Sequence, residues 1–95
     1  MASGTEDIYH LKCIQQPGKK EATIIFVLPE KSKVVLKINN GNDAEVRMLL
    51  NETMEMAVHE VDFLYGHLSA GSYCIRLIVQ TENIVDINSL IIQIP

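Results

Sequence analysis

Three histidines are the side chains in this sequence best suited to acid–base or metal chemistry near neutral pH. His10, His59 and His67 lie in separate stretches of the chain, and none of them forms an HxH or HExxH motif. A zinc site or a catalytic site needs several such side chains at a defined spacing. We therefore expect all three histidines to be structural or solvated, and we predict no metal site.

Paired carboxylates are the second candidate for chemistry. Glu60 and Asp62 are two residues apart, so they point the same way from an extended strand and could act as a general acid and base. The solvated face of a sheet explains the same spacing without chemistry, and we favour it. Asn42 and Asp43 lack the ligand spacing of a calcium loop, and no serine has a nucleophile-elbow context. We predict no catalytic residue, cofactor or small-molecule substrate, and hence a protein that is not an enzyme.

Composition restricts the class of partner. The chain has 95 residues, of which 47% are hydrophobic, and it carries a net charge of −4. A nucleic-acid binder would present a basic face, and a membrane span would need an apolar run of about 20 residues; the sequence has neither. The length suits one domain, which we place at residues 8–95 after a disordered or flexible N-terminus at residues 1–7.

Short runs of β-forming residues alternate with turn signals along the chain, which is typical of a sandwich or barrel. Pro17-Gly18, Pro29 and the cluster at residues 39–43 mark turns. The predicted strands are residues 8–15, 22–28, 33–38, 45–50, 58–63, 72–80 and 84–94. Residues 51–57 are interpreted as a connection, and the last strand is either split at Asn88-Ser89 or continuous with a bulge there.

Alternation within these runs predicts which side chains face the core. The inward set is Val34, Leu36, Ile38, Val46, Met48, Leu50, Val61, Phe63, Tyr73, Ile75, Leu77 and Val79. Seven such strands fit an all-β, immunoglobulin-like sandwich of two antiparallel sheets.

The two cysteines leave two states open. Cys13 and Cys74 could form one disulfide, or each could be a free thiol within apolar surroundings. The N-terminus has no signal-peptide pattern, which favours free thiols. We expect a cytoplasmic protein if Met1 is the native start, and a periplasmic or cell-surface one if the chain is the tail of an exported protein.

Four segments, taken in order, resemble one bacterial family. They are residues 28–38 (LPEKSKVVLKI), 45–52 (EVRMLLNE), 59–63 (HEVDF) and 68–77 (LSAGSYCIRL), the last with the pattern G-x-Y followed by R-L. This series is similar to the immunoglobulin-like family that contains the C-terminal sorting domains of the type-nine secretion system and the immunoglobulin-like domains of flagellar hook-capping proteins. The resemblance covers roughly residues 22–94 and implies the same sandwich. Its functional implication, a sorting domain of a secreted cargo protein, is the alternative function.

Departures from the family pattern weaken that alternative. The third turn has Asn40 and Asp43-Ala44 where the family has D-x-x-G-R, and no Lys or Arg follows Arg76, whereas the family's signals end in a strand flanked by basic residues.

Apolar residues on both faces of several runs predict an interface, because a sandwich in water needs one apolar face per sheet. The candidate interface residues are Val35, Ile78, Ile91 and Gln93. The last strand is apolar and would be hazardous as an open edge. We therefore predict a binding, scaffold or accessory domain with a protein partner or a homodimer. The competing interpretation is that these residues pack under loops and that the last strand is internal.

Overall fold

The computed structural model describes residues 8–95, and the flexible N-terminus predicted at residues 1–7 lies outside the described residues. Within residues 8–95 the chain forms seven β-strands and one short 3-10 turn, Pro17–Lys19. The strands are β1 (Lys12–Gln16), β2 (Glu21–Leu28), β3 (Ser32–Asn39), β4 (Glu45–Met54), β5 (Ala57–Leu64), β6 (Gly71–Gln80) and β7 (Val85–Ile94).

The strands form two antiparallel sheets, one with the order β1-β2-β5 and the other with the order β4-β3-β6-β7. This confirms the predicted immunoglobulin-like sandwich of seven strands. In a constant-type immunoglobulin domain the fourth strand joins the first sheet. Here β4 pairs with β3, so the second sheet has four strands and two different outer strands.

The core lies between the two sheets and is built from every second side chain. The largest fully buried side chains are Phe26, Ile24, Leu28, Leu36, Ile38, Ile75, Leu77 and Val34. Each such side chain contributes about 1.5–3 kcal/mol through burial. The inward direction predicted for the third and sixth runs is confirmed, since all of their predicted core residues are buried.

A tyrosine corner fixes the start of β6. The Tyr73 hydroxyl donates a hydrogen bond to the Ser69 carbonyl oxygen at 2.7 Å, four residues upstream. Gly71, at the first position of the strand, has a φ of +146°, which L side chains rarely adopt. A buried ring whose hydroxyl bonds the preceding corner is the arrangement that immunoglobulin-type sandwiches use at their sixth strand.

The first strand, predicted to begin at residue 8, begins later in the structure. β1 begins at Lys12, and residues 8–11 form a turn and an irregular segment. His10 has a φ of +49°, which interrupts extended backbone. Tyr9 and Leu11 are nevertheless buried, and the Val27 N–H donates to the Tyr9 carbonyl at 2.7 Å. The segment therefore packs against the core without being a strand.

The fourth strand is longer than predicted, and some of its side chains point to the other face of the sheet. β4 continues to Met54, because the residues predicted as a connection pair with the first half of β3. Two register shifts interrupt its ladder with β3, between Leu36 and Lys37 and between Ile38 and Asn39. Met48 lies beyond the first shift, which exchanges the faces of the strand, and Val46 is the residue that the second shift leaves without a partner on β3. Met48 and Val46 are therefore 46% and 40% exposed instead of inward.

The last strand is continuous. Its register with β6 is unbroken from Gly71 opposite Ile94 to Gln80 opposite Val85. The interpretation of a split or bulged strand at Asn88-Ser89 was therefore wrong.

Both cysteines are free thiols in the structure. Cys13 lies on β1 opposite the buried Ile24 and packs against the core, whereas Cys74 lies on β6 opposite the exposed Ile91. The two thiols thus belong to different sheets and different faces. Burial raises the pKa of the Cys13 thiol, which keeps it protonated and unreactive.

Residues 8–95 contain no helix with the length and apolar character that crossing a membrane requires.

Candidate functional site

The four predicted interface residues share one surface, which we call the outer face: the side of the four-stranded sheet that points away from the core. Val35 on β3 is directly opposite Ile78 on β6, and Ile78 is opposite Ile87 on β7. These three side chains form one apolar row across three strands. Ile91 and Gln93 lie further along β7, opposite Cys74 and Ser72.

A polar row crosses the outer face beside that apolar row. It consists of Lys37 opposite Arg76, with Ser89 opposite Arg76 on β7. The Lys37 Nζ atom lies 3.8 Å from Glu45 Oε1, and an Arg76 guanidinium nitrogen lies 3.3 Å from Asp43 Oδ1. Arg76 is half-buried. Both cations already have carboxylate partners within the chain.

The turn between β3 and β4 supplies the Asp43 carboxylate. Asp43 has a φ of +62°, and the Asn39 side-chain amide donates to its Oδ1 at 3.1 Å. This hydrogen bond, and then the Arg76 guanidinium, hold the pKa of the Asp43 carboxyl below its usual value. Asn39 is buried, and its side-chain oxygen has no hydrogen-bond partner.

A shallow pocket of about 330 Å³ lies on the outer face beside this turn. Its lining is Asn40, Gly41, Asp43, Ser72, Tyr73, Cys74, Arg76 and Ile91. The Ser72 hydroxyl accepts a hydrogen bond from the Gln93 side-chain amide at 2.6 Å. None of the lining residues is a histidine, so Ser72 and Cys74 have no imidazole partner there.

The strand β7 lies at the border of the outer face and has β6 as its one ladder partner among the described strands. The N-terminal segment contacts this strand near each of its ends. The Tyr9 hydroxyl donates to Asp86 Oδ2 at 2.5 Å, and the Gln15 side-chain amide donates to the Gln93 carbonyl oxygen at 3.0 Å.

These contacts also indicate the direction of the β7 backbone groups. In an antiparallel ladder, the residues of one strand alternate between bonding the neighbouring strand and pointing away from it. The Gln93 carbonyl accepts from Gln15 of the other sheet, so it points away from β6. Because the register has no shift, the N–H and C=O groups of Ile87, Ser89 and Ile91 also point away from β6. We call these backbone groups the open edge.

The residues weighed as candidates for catalysis or metal binding lie apart in the structure. His59 stacks near Phe26, with ring centroids 5.5 Å apart, and its Nε2 lies 2.8 Å from the Glu55 carbonyl oxygen. Glu60 and Asp62 lie exposed on the opposite face of β5, and Thr23 donates to Asp62 Oδ1 at 2.7 Å.

His10 and His67 are exposed in loops. Within residues 8–95 no group of three or more histidine, cysteine and acidic side chains is arranged to hold a metal ion.

Three residues of the edge strand, Val85, Ile87 and Ser89, were missing from the predicted interface. The signal for them was present in the alternation of residues 84–94, but it depends on the strand being continuous. A break at Asn88-Ser89 separates Ile87 from Ile91, whereas the unbroken strand puts both on the outer face.

No protein-family model and no curated protein matches this chain at a significant level.

Proposed function

We propose that this chain is a non-enzymatic β-sandwich that binds another polypeptide by adding a strand to the open edge of β7. The supporting observation is an unbroken ten-residue outer strand whose sole charged side chain is Asp86. Exposed edges of this kind are templates for strand addition, and native domains normally block them with charges, bulges or prolines. Strand addition is also a common mode of peptide recognition.

Two kinds of contact would supply the affinity. The open edge offers backbone donors and acceptors, each worth about 0.5–1.5 kcal/mol net when paired. Ile87 and Ile91 are exposed on the same strand, and covering them would add about 25 cal/mol for each Å² of apolar surface removed from water. The apolar row of Val35, Ile78 and Ile87 extends this contact area onto the outer face.

Two observations support a function without catalysis. The pocket on the outer face holds an arginine that Asp43 already neutralises. The histidines lie on other elements and none lines the pocket, so no imidazole is placed to activate Ser72 or Cys74.

Selection of short extended peptides from a displayed library on the immobilised chain tests this proposal. We expect selected peptides to bind the wild-type chain and to lose about tenfold or more in affinity for Ser89→Pro, because proline removes a donor of the open edge.

Val58→Lys is the matched control for Ile87→Lys, since both side chains are similarly exposed on outer strands. Only Ile87→Lys should weaken peptide binding. Peptides that bind Ser89→Pro and Ile87→Lys as tightly as the wild type would contradict the proposal.

The second proposal is the sorting domain that the family resemblance implies. It is supported by the motif at residues 68–77, which includes the tyrosine corner at Tyr73. The test is a fusion of this chain to the C-terminus of a reporter in a bacterium with a type-nine system. Reporter in the medium would favour sorting, and a reporter retained in the cell would contradict it.

A further inference from the structure

We infer that the open edge pairs with a second copy of this chain, through β7 of each copy and a two-fold axis at Ser89. This inference rests on the proposed function, because it names the polypeptide that occupies the same edge.

Two contacts of the N-terminal segment limit how much of the open edge is accessible. The Tyr9 hydroxyl bonds Asp86 at one end of β7, and the Gln15 amide bonds the Gln93 carbonyl at the other. Six residues, 87–92, lie between these two contacts. The ones whose backbone groups belong to the open edge are Ile87, Ser89 and Ile91, with Ser89 in the middle. We call residues 87–91 the window.

The window is symmetric in its outer-face side chains. Its outer-face side chains are Ile87, Ser89 and Ile91, a series that is the same in both directions. Antiparallel pairing about a two-fold axis at Ser89 therefore places each Ile87 opposite Ile91 of the second copy. The two serine side chains meet on the axis. An isologous contact needs a surface that is complementary to itself, and this series meets that condition.

Pairing of two copies would cover exposed apolar side chains. Ile87 and Ile91 are 59% and 63% exposed in the single chain. In the pair, Ile87 would lie between Ile78 of its own chain and Ile91 of the second copy. The row that starts at Val35 would thereby continue across the axis, and the two sheets would join into one of eight strands.

The charges on β7 do not oppose this pairing. Asp86 is the single charged residue of β7, and in this register it falls opposite Ile92 of the second copy. No pair of like charges is therefore brought together along the strands, although each chain carries a net charge of −4. A window of five residues is short compared with the interfaces of permanent dimers, so we expect a weak, concentration-dependent dimer.

Sedimentation equilibrium over a wide range of protein concentration tests the inference. The wild-type mass should rise from 10.7 kDa towards twice that value. The variant I87K/I91K places lysine opposite lysine in the two-fold register and should weaken the dimer about tenfold or more. The variant I87K/I91E places lysine opposite glutamate twice, so it should restore dimerisation to within a few-fold of wild type and become sensitive to salt.

The two variants introduce the same number of charged side chains at the same exposed positions, so each controls for the folding and solubility of the other. Equal dissociation constants for I87K/I91K and I87K/I91E would overturn the register and with it the inference.

Wild-type chain that stays at 10.7 kDa while displayed peptides bind its edge would overturn the dimer and leave the proposed function standing. Monomeric chain that also binds no peptide at this edge would overturn both.

Discussion

The two outer strands of the four-stranded sheet, β4 and β7, have the same length and opposite character. Each has ten residues. β4 carries Glu45, Arg47 and Glu52 and two register shifts, whereas β7 carries one charge and no shift. Bulges and charges are the usual means of preventing edge-to-edge pairing. The difference means that one edge of the sheet carries the usual blocking features and the other does not, which supports the proposal that a partner strand is added at β7.

The largest effect should come from testing which backbone groups of β7 point outward. Asn88→Pro removes an N–H that bonds β6, so we expect it to destabilise the fold by about 2–3 kcal/mol. Ser89→Pro, one residue away, removes an N–H of the open edge and should cost much less. Urea unfolding of both variants measures the difference, and equal losses would show that the assigned directions are wrong.

The next effect concerns the tyrosine that borders the window. Burial, and then the hydrogen bond to Asp86, raise the pKa of Tyr9 from 10.0 to about 12. A folded-state pKa above the unfolded value means that the unfolded chain ionises first, so this contribution to stability is complete below pH 10 and is lost as the pH rises towards about 12.

Tyr9→Phe should lower the free energy of unfolding at neutral pH by about 1–2 kcal/mol through the lost hydrogen bond. It should also remove the tyrosine contribution to the alkaline loss. Denaturant unfolding from pH 8 to 12 measures both, and a pH profile identical to that of wild type would contradict the assignment.

A smaller effect is expected from removing the protection of β4. Replacing Arg47 and Glu52 with threonine should change stability by less than about 0.5 kcal/mol, because both side chains are exposed. It should nevertheless raise the rate of aggregation, since the edge loses its charges. Light scattering of R47T/E52T against wild type measures this, and unchanged aggregation would mean that the register shifts alone protect the edge.

The smallest effect should come from Asp43→Asn in the turn before β4. Asn39, and then Arg76, hold the pKa of Asp43 below its usual value of 3.8, so its contribution is present above that value and is lost as the pH falls through the folded pKa. Asparagine tolerates the positive φ, so the fold should persist. Acid unfolding should show a slightly weaker dependence on pH below 4, and a large loss at pH 7 would contradict a merely surface role.

The sandwich was predictable because alternating patterns are local, and they survive wherever the ladder is regular. The third and sixth runs pair with each other without a register shift, and their inward residues were correctly predicted. Val46 and Met48 were assigned to the wrong face because a register shift depends on the neighbouring strand, and their own sequence does not specify it.

The candidate site was partly predictable for the same reason. Val35, Ile78, Ile91 and Gln93 follow from alternation and share the outer face. The window around Ser89 requires the contacts of Tyr9 and Gln15, which lie more than seventy residues away in sequence.

The placement of the N-terminal segment has a consequence for how tightly any strand could hold to β7. β1 is the shortest strand of the sandwich, with five residues, and its ladder runs to β2 alone. A partner strand longer than the window would have to displace Gln15 from Gln93. Its binding free energy would therefore be reduced by the cost of detaching this part of the N-terminal segment. Changes to the chain upstream of Tyr9 would then alter the affinity of β7 for a partner strand without touching the contact itself, because the N-terminal segment and the partner strand compete for the same end of β7.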